Sequence, residues 1–505
     1  MSGSSVQKEF GDYQTPLNFA KKICEYLKKY LNVNPTIIIE PTCGIGNFIN
    51  ASLHTFDKIE KAYGIEINKK YTNLCIENNN DDRLKIFNAN FFTFEIKNLA
   101  DNCLIIGNPP WATNSNLNFN LPRKTNFKKL SGIDAITGGS NFDIGEYIIL
   151  KLIEEFNGTE STIAMLCKTS VARNVLLELE RNDREVKFAK MINFNANKIF
   201  NINVSACLLV ISLSKGYKNH KECEIINIDD PNKVVDIMEN KDGSLISKMV
   251  DVDDFSGKCE FEWRQGVKHD ASKIMELVNI ENGKYKNGNN EKVELEDTLI
   301  FPLLKSSHFK SPIINNNFKK YVIVTQKKTR QDTSFIKEVA PKIWKYLNDH
   351  KEFFDKRKSS IYNGAPAFSM FGIGNYSYSK YKVGVSGFYK KALFCLVYNE
   401  NNVNHPVMGD DTSYFLDFDD KDVAYACMLL LNSQKVQDYL SKISFKDAKR
   451  PYTKKVLSKI SLDKASKKVT LQDLIDTENK LKLENVITID MYNKLKAKIM
   501  KNNTL

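Results

Sequence analysis

Thr36-Ile-Ile-Ile-Glu-Pro-Thr-Cys-Gly-Ile-Gly-Asn47 is the stretch from which the fold of this chain can be read. Three consecutive isoleucines make a short β-branched apolar run, the kind a strand carries when a parallel sheet buries both its faces. The run breaks at Pro41 and passes into Gly44 and Gly46. Glycines there let the backbone turn sharply and approach a ligand with no Cβ in the way. A strand, a glycine turn and then a helical pattern place that turn at the carboxyl end of a strand and beside a helix N-terminus, where nucleotide-like ligands lie in α/β sheets. By itself the Gly-x-Gly fits a plain structural turn equally well, so its surroundings decide.

Upstream, Leu17, Ala20, Ile23, Cys24, Leu27 and Leu31 recur at helical spacing and predict a helix over Leu17–Leu31, with Thr15-Pro16 as cap and first turn. Downstream come short apolar runs at Ala62–Ile67, Leu84–Phe87, Cys103–Ile106, Thr162–Leu166, Met191–Phe194 and Ala206–Ile211. Helical patterns separate several of them, notably Tyr147–Phe156. The alternation predicts an α/β domain with a doubly wound, Rossmann-like sheet over residues 1–215. Glu66 ends the next strand, 26 residues past Glu40, close to where an acidic side chain holds ribose hydroxyls in nucleotide-binding sheets.

The chain has 505 residues, enough for two or three domains, and its 42% hydrophobic content can bury a sizeable core. No run of eighteen apolar residues occurs, and the opening MSGSSVQKEF lacks the apolar core of a signal peptide, so a cytoplasmic protein without membrane insertion is expected. Ten cysteines lie scattered, with no Cys-x-x-Cys pair, and read as reduced thiols; no metal site is expected. The net charge is +12, but residues 1–210 hold 24 basic against 22 acidic side chains and the remainder 49 against 39. The positive excess thus sits in the second half, where it fits either a polyanion-binding face or a lysine-rich solvated surface.

Gly107-Asn108-Pro109-Pro110-Trp111 follows the Cys103–Ile106 strand and carries the chemistry. Two prolines fix the backbone and remove two N–H donors, leaving carbonyls that face outward. Asn108 adds a neutral side-chain acceptor beside the Pro109 carbonyl, and Trp111 offers a flat face. Such a set suits an exocyclic amino group on a planar ring, with two acceptors for its two protons and an indole for its face.

Taken with Gln14-Thr15-Pro16, Glu40–Phe48, Gly64-Ile65-Glu66-Ile67, Ala89-Asn90-Phe91, Ile199-Phe200 and Val204-Ser205-Ala206, the segment Asn108–Trp111 makes residues 10–215 resemble the gamma-class N6-adenine DNA methyltransferases of restriction–modification systems. The resemblance implies S-adenosylmethionine as cofactor, double-stranded DNA as substrate and a flipped target adenine, and it leaves open whether a cognate restriction endonuclease exists. It implies that Thr15, Glu40, Pro41, Thr42, Gly44 and Gly46 surround the cofactor, Thr15 and Glu40 at its methionine end. Glu66 would hold the ribose hydroxyls and Asn90 and Phe91 would meet the adenine. The catalytic tetrapeptide would be Asn108, Pro109, Pro110 and Trp111, with Trp111 and Phe200 stacking on the flipped base. Asn90 stands where the family has Asp, and Trp111 where it more often has Tyr or Phe. A cytosine-N4 methyltransferase shares the geometry but more often has Ser at the position of Asn108; a non-catalytic specificity subunit would not need the intact motif.

The polar segment Ala112–Ser140, with Arg123 and Lys124, reads as a loop ordering over DNA. After residue 215 the strand–helix rhythm stops, and residues 216–469 read as a mixed α+β target-recognition region. Phe301–Gln331 lacks any acidic residue yet holds Lys305, Lys327, Lys328 and Arg330, and a second basic tract runs through Lys446, Lys449 and Arg450. These cations are expected to meet DNA phosphates. Residues 470–505 read as a charged amphipathic helical segment, free either to dock on the body or to meet a partner.

Overall fold

A computed structural model describes residues 13–100, 102–111, 143–219, 221–241, 243–249, 251–281, 283–445 and 447–503. The Ala112–Ser140 segment with Arg123 and Lys124, and Lys446, lie outside them. The chain divides into two compact units, Met1–Asp251 and Val252–Leu505.

The first unit opens with α1 (Leu17–Leu31), which buries Phe19, Ala20, Ile23, Cys24 and Leu27 along one face. Pro16 occupies its capping position and no side chain caps it, so Thr15 does not act as the cap the sequence suggested. There follow β1 (Ile37–Glu40), α2 (Asn47–Thr55), β2 (Lys61–Glu66), α3 (Lys69–Asn78), β3 (Leu84–Asn88), β4 (Leu104–Gly107), α4 (Ile144–Phe156), β5 (Thr162–Lys168), α5 (Thr169–Arg181), β6 (Val186–Phe194), α6 (Ala196–Phe200) and β7 (Ala206–Leu213). The strands stand in the order β3-β2-β1-β4-β5-β7-β6, with β7 antiparallel to β5 and β6 and the rest of that row parallel. β1 lies between β2 and β4, so strand order reverses there, and the carboxyl ends of β1 and β4 form the switch point at which open α/β sheets bind ligands. A row of fully buried side chains, among them Ile38, Ile39, Leu104, Ile105 and Ile106, runs through the middle of the sheet and holds those two ends in place.

The sheet does not end near residue 215. β8 (Glu222–Asn227), β9 (Asp230–Lys241) and β10 (Ser244–Ser247) extend it to ten strands beyond β6. The boundary expected after residue 215 therefore falls inside this sheet. The strand–helix rhythm stops because β8 to β10 are joined by antiparallel hairpins, which need no crossover helix.

The second unit contains a six-stranded sheet in the order β14 (Lys292–Glu294), β13 (Lys284–Asn287), β12 (Glu276–Glu281), β17 (Tyr321–Ile323), β15 (Ile300–Leu304) and β20 (Met408–Gly409). A five-stranded sheet runs β11 (Arg264–Gln265), β21 (Ser413–Phe418), β18 (Tyr381–Ser386), β19 (Cys395–Val397) and β16 (Ile313–Ile314). With the helices around them they make the mixed α+β unit that the sequence implied. The C-terminal residues form two helices, Leu471–Lys480 and Ile489–Asn503, and they dock on the buried helix Lys421–Asn432 of the same unit. Tyr492 is buried and donates to the Val469 carbonyl at 2.8 Å, while Lys494 pairs with Asp422 at 2.6 Å. Glu478 is fully buried and accepts bonds from the Tyr425 hydroxyl and from the backbone N–H groups of Val486 and Ile487.

Three donors converge on this carboxylate, which makes it the pin of the C-terminal segment. Glu478→Ala leaves all three without their acceptor and is expected to destabilise the second unit by about 2 kcal/mol or more, read by chemical denaturation.

Candidate active site

The site is built where β1 and β4 end. Glu40, the last residue of β1, is 4% exposed, and its carboxylate accepts one bond, from the Ile49 N–H at 3.3 Å. Burial, with further contributions from Cys75 and Glu66, pushes the Glu40 carboxyl well above the usual carboxylate range. Beyond it Gly44 (φ +51°) and Gly46 (φ +82°) take the left-handed conformation that glycine alone adopts without strain. A Cβ on Gly46 would also lie 2.4 Å from the Cys75 sulfur. Glu66, at the end of β2, reaches across the turn and accepts from the Gly44 N–H at 2.9 Å and the Asn68 N–H at 2.7 Å. The carboxylate assigned to ribose from sequence thus also holds the glycine turn in shape.

An N-terminal strap crosses these ends. The Tyr13 carbonyl accepts from the Asn108 Nδ2 at 2.7 Å, the Gln14 Oε1 from the Ile45 N–H at 3.3 Å, and the Thr15 carbonyl from the Asn47 Nδ2 at 2.7 Å. Because two carbonyl oxygens repel, the bond to Tyr13 fixes which way the Asn108 amide faces. Its Oδ1 is buried and has no partner among the described residues; the same holds for the Trp111 Nε1 and the hydroxyls of Thr15 and Thr42. Buried polar atoms are ordinarily satisfied, so these unpartnered atoms on and beside the switch point fit a place that receives a ligand. Two hydroxyls, a glycine turn and an uncompensated buried carboxyl fit a nucleoside cofactor with a cationic tail.

Trp111 is 8% exposed and stands edge-on to Phe200, with ring centroids 5.5 Å apart at 65°, while Tyr13 lies 6.1 Å from Trp111 and 6.3 Å from Phe200. The structure thus brings together the two rings expected to stack on a base, but in mutual contact and not parallel; a base between them requires that they part. At the end of β3, the Asn90 Oδ1 accepts from the Phe92 N–H at 2.9 Å. Phe91 is buried, with the Lys151 ammonium 4.6 Å from its ring centroid and bonded to its carbonyl at 2.9 Å. Sequence reasoning does not single out Tyr13 or Lys151. A backbone carbonyl leaves no signature there, and Lys151 reads as an ordinary polar position in an amphipathic helix.

Of the cations expected at DNA phosphates, Lys327, Lys328, Arg330 and Lys449 are exposed. Lys305 is committed elsewhere. It pairs with Glu276 at 2.7 Å, and Lys320 joins the same carboxylate at 3.1 Å. Burial works against the Glu276 charge, but the two ammoniums outweigh it and hold the carboxyl below its ordinary range. Arg450 donates to the Asp411 carbonyl at 2.9 Å and lies 4.8 Å over the Phe388 ring. Both cations thus carry intramolecular ties, with side-chain exposures of 32% and 28%. All ten cysteines are free and buried. Among the described residues no helix is long and apolar enough to cross a membrane.

The strand order, the glycine turn at the switch point and the Asn-Pro-Pro-Trp segment beside it define a methyltransferase that uses S-adenosylmethionine. Residues 2–298 match the model of the N-6 DNA methylase family, and the chain belongs to that family. It is 38% identical over 475 residues to the Type II methyltransferase M.NspV of a Nostoc species, covering 91% of this chain and 97% of that protein. Among solved structures it is similar to the DNA-bound ATP-dependent Type ISP restriction–modification enzyme LlaBIII (12% identity, TM-score 0.41, 80% of this chain and 33% of that one). It is also similar to the type I restriction–modification methyltransferase subunit of Streptococcus thermophilus (14% identity, TM-score 0.31, 44% and 49%). The chain is accordingly an adenine-specific DNA methyltransferase of the restriction–modification type, with S-adenosylmethionine as methyl donor.

The raised carboxyl of Glu40 makes a signed prediction. The folded, ligand-free protein holds this proton more tightly than the unfolded chain does, so its contribution to stability falls as pH rises above the ordinary carboxylate pKa. Glu40→Gln should remove that slope and raise the melting temperature of the ligand-free protein relative to the parent between about pH 5 and 8, with little difference at more acid pH.

Proposed function

We propose that the chain methylates the N6 amino group of an adenine flipped out of double-stranded DNA at a specific site, and that the tetrapeptide Asn108–Trp111 receives that base. The observation that carries this is the orientation of Asn108. One N–H of its Nδ2 goes to the Tyr13 carbonyl, which turns the amide so that its buried Oδ1 is left as an acceptor beside a proline pair that offers only carbonyls. Adenine N6 is a poor nucleophile because its lone pair is delocalised into the ring. Acceptance of its two N–H protons by the Asn108 Oδ1 and the Pro109 carbonyl turns that lone pair out of the ring plane, and positive charge developing on nitrogen is stabilised by the same oxygens. S-adenosylmethionine supplies the electrophilic sulfonium methyl. Glu40 offers its cationic end a buried carboxylate, Thr15 and Thr42 contribute hydroxyls, Pro41, Gly44 and Gly46 shape the turn against it, Glu66 takes the ribose hydroxyls, and Asn90 and Phe91 line the adenine end.

Taking the base out of the duplex costs a few kcal/mol, and stacking on an aromatic returns about 1–3 kcal/mol. Trp111 and Phe200 are the aromatics at hand. The second unit, with Lys327, Lys328, Arg330 and Lys449 exposed, holds the DNA and selects the site. On this reading the protein acts on DNA in the cytoplasm and admits a cognate restriction endonuclease as partner.

Asn108→Ala should abolish methyl transfer while calorimetric binding of S-adenosylmethionine survives; turnover at the parent rate contradicts the assignment. Neutralising Lys327, Lys328, Arg330 and Lys449 together should weaken DNA binding. It should also flatten the dependence of log K on log salt by about 0.9 for each phosphate that is no longer neutralised, with an unchanged cofactor isotherm. A parent-like slope would make these four cations solvated surface.

A further inference from the structure

The tetrapeptide has an anchoring problem. Pro109 and Pro110 have no N–H, so neither can be tied down by a backbone bond as donor. Asn108 is tied at one end through Tyr13. The other end is held by a side chain: Lys168, the last residue of β5, donates from its Nζ to the Trp111 carbonyl at 3.3 Å. The same ammonium pairs with the Asp143 carboxylate at 2.8 Å, and both groups are largely buried, with side-chain exposures of 25% and 13%. Asp143 in turn caps α4, accepting from the Gly145 N–H at 3.0 Å. The first turn of α4 lies flat against the prolines: a Cβ on Gly145 would stand 3.5 Å from the Pro109 Cγ and 3.6 Å from the Pro110 carbonyl oxygen.

We propose that Lys168 is a positioning residue for methyl transfer, in which its ammonium, held by Asp143, fixes the Trp111 carbonyl and so sets the tetrapeptide against the target amine. This rests on the reading of Asn108–Trp111 as the receiver of the base. Three elements meet at one carboxylate: the end of β5 through Lys168, the start of α4 through Gly145, and the tetrapeptide through Lys168. A charge-assisted bond to a carbonyl is stronger than a neutral one, and an ammonium at this depth needs the carboxylate to offset its burial. Acceptors aimed at a developing charge act only if their positions hold to a fraction of an ångström, and a misplacement near 1 Å costs about a hundredfold in rate.

The test uses the full-length chain in steady-state methylation of DNA. Lys168→Met keeps the length of the side chain and removes its donors; kcat should fall by about 10- to 100-fold, with KM for DNA and the Kd for S-adenosylmethionine within about twofold of the parent. Asp143→Asn retains a capping side chain but not the charge, and kcat should fall here too. The double variant should be no slower than the slower single one, because the two groups act as a unit. An unchanged kcat in Lys168→Met overturns the inference, as do losses that multiply in the double variant. So does a fall in kcat matched by loss of cofactor affinity and melting temperature, which would make the pair merely structural. Asn108→Ala run alongside separates the two levels: if it is inactive while Lys168→Met is not, the base-receiving site stands and only this inference falls.

Discussion

The bond from the Asn108 amide to the Tyr13 carbonyl is the constraint on which the site depends. An asparagine amide can present either its donor or its acceptor to a ligand, and the two choices recognise opposite partners. Here a main-chain carbonyl from the N-terminal strap takes one N–H of the NH2 group, and the Oδ1 is left buried with no partner among the described residues. A buried acceptor without a donor costs about 1–3 kcal/mol, and the fold tolerates it at the place where the proposed reading brings the target amino group. The proline pair extends the same logic to the backbone, since it presents carbonyls with no competing N–H.

The cofactor side follows a parallel pattern. Among the described residues no cation meets the buried Glu40, and Glu66 spends bonds on Gly44 and Asn68 to keep the turn open. Burial of this carboxyl carries an electrostatic cost in the ligand-free protein, which the proposed cationic end of the cofactor would relieve. The strap Tyr13–Thr15 couples the two halves, because one three-residue segment accepts from Asn108 on the base side and from Ile45 and Asn47 on the cofactor side. Loss of the strap would therefore disturb both.

Much of the first unit is legible in sequence because buried parallel strands and amphipathic helices advertise themselves by period. The helix over Leu17–Leu31 and the strands around Ile37–Glu40 and Leu104–Gly107 fall where the apolar runs put them. The β8–β10 extension escapes such reading because β9 is largely solvated and carries little apolar pattern. The motif residues around the switch point can be named from order and spacing, but Tyr13 cannot, since it acts through its carbonyl and any residue has one. The ties of Lys305 and Arg450 escape sequence reading because their acidic partners, Glu276 and Asp411, lie tens of residues away in sequence. The C-terminal helices show their apolar faces, yet only the tertiary structure shows that Lys421–Asn432 receives them.

The most direct measurement of the central claim is a crystal structure of the protein with a duplex containing its site and an unreactive analogue of S-adenosylmethionine. The account predicts an extruded adenine whose N6 lies within about 3 Å of both the Asn108 Oδ1 and the Pro109 carbonyl oxygen, with Trp111 and Phe200 parted to face its ring. An adenine still paired in the duplex, or an extruded base whose N6 meets neither oxygen, would contradict it.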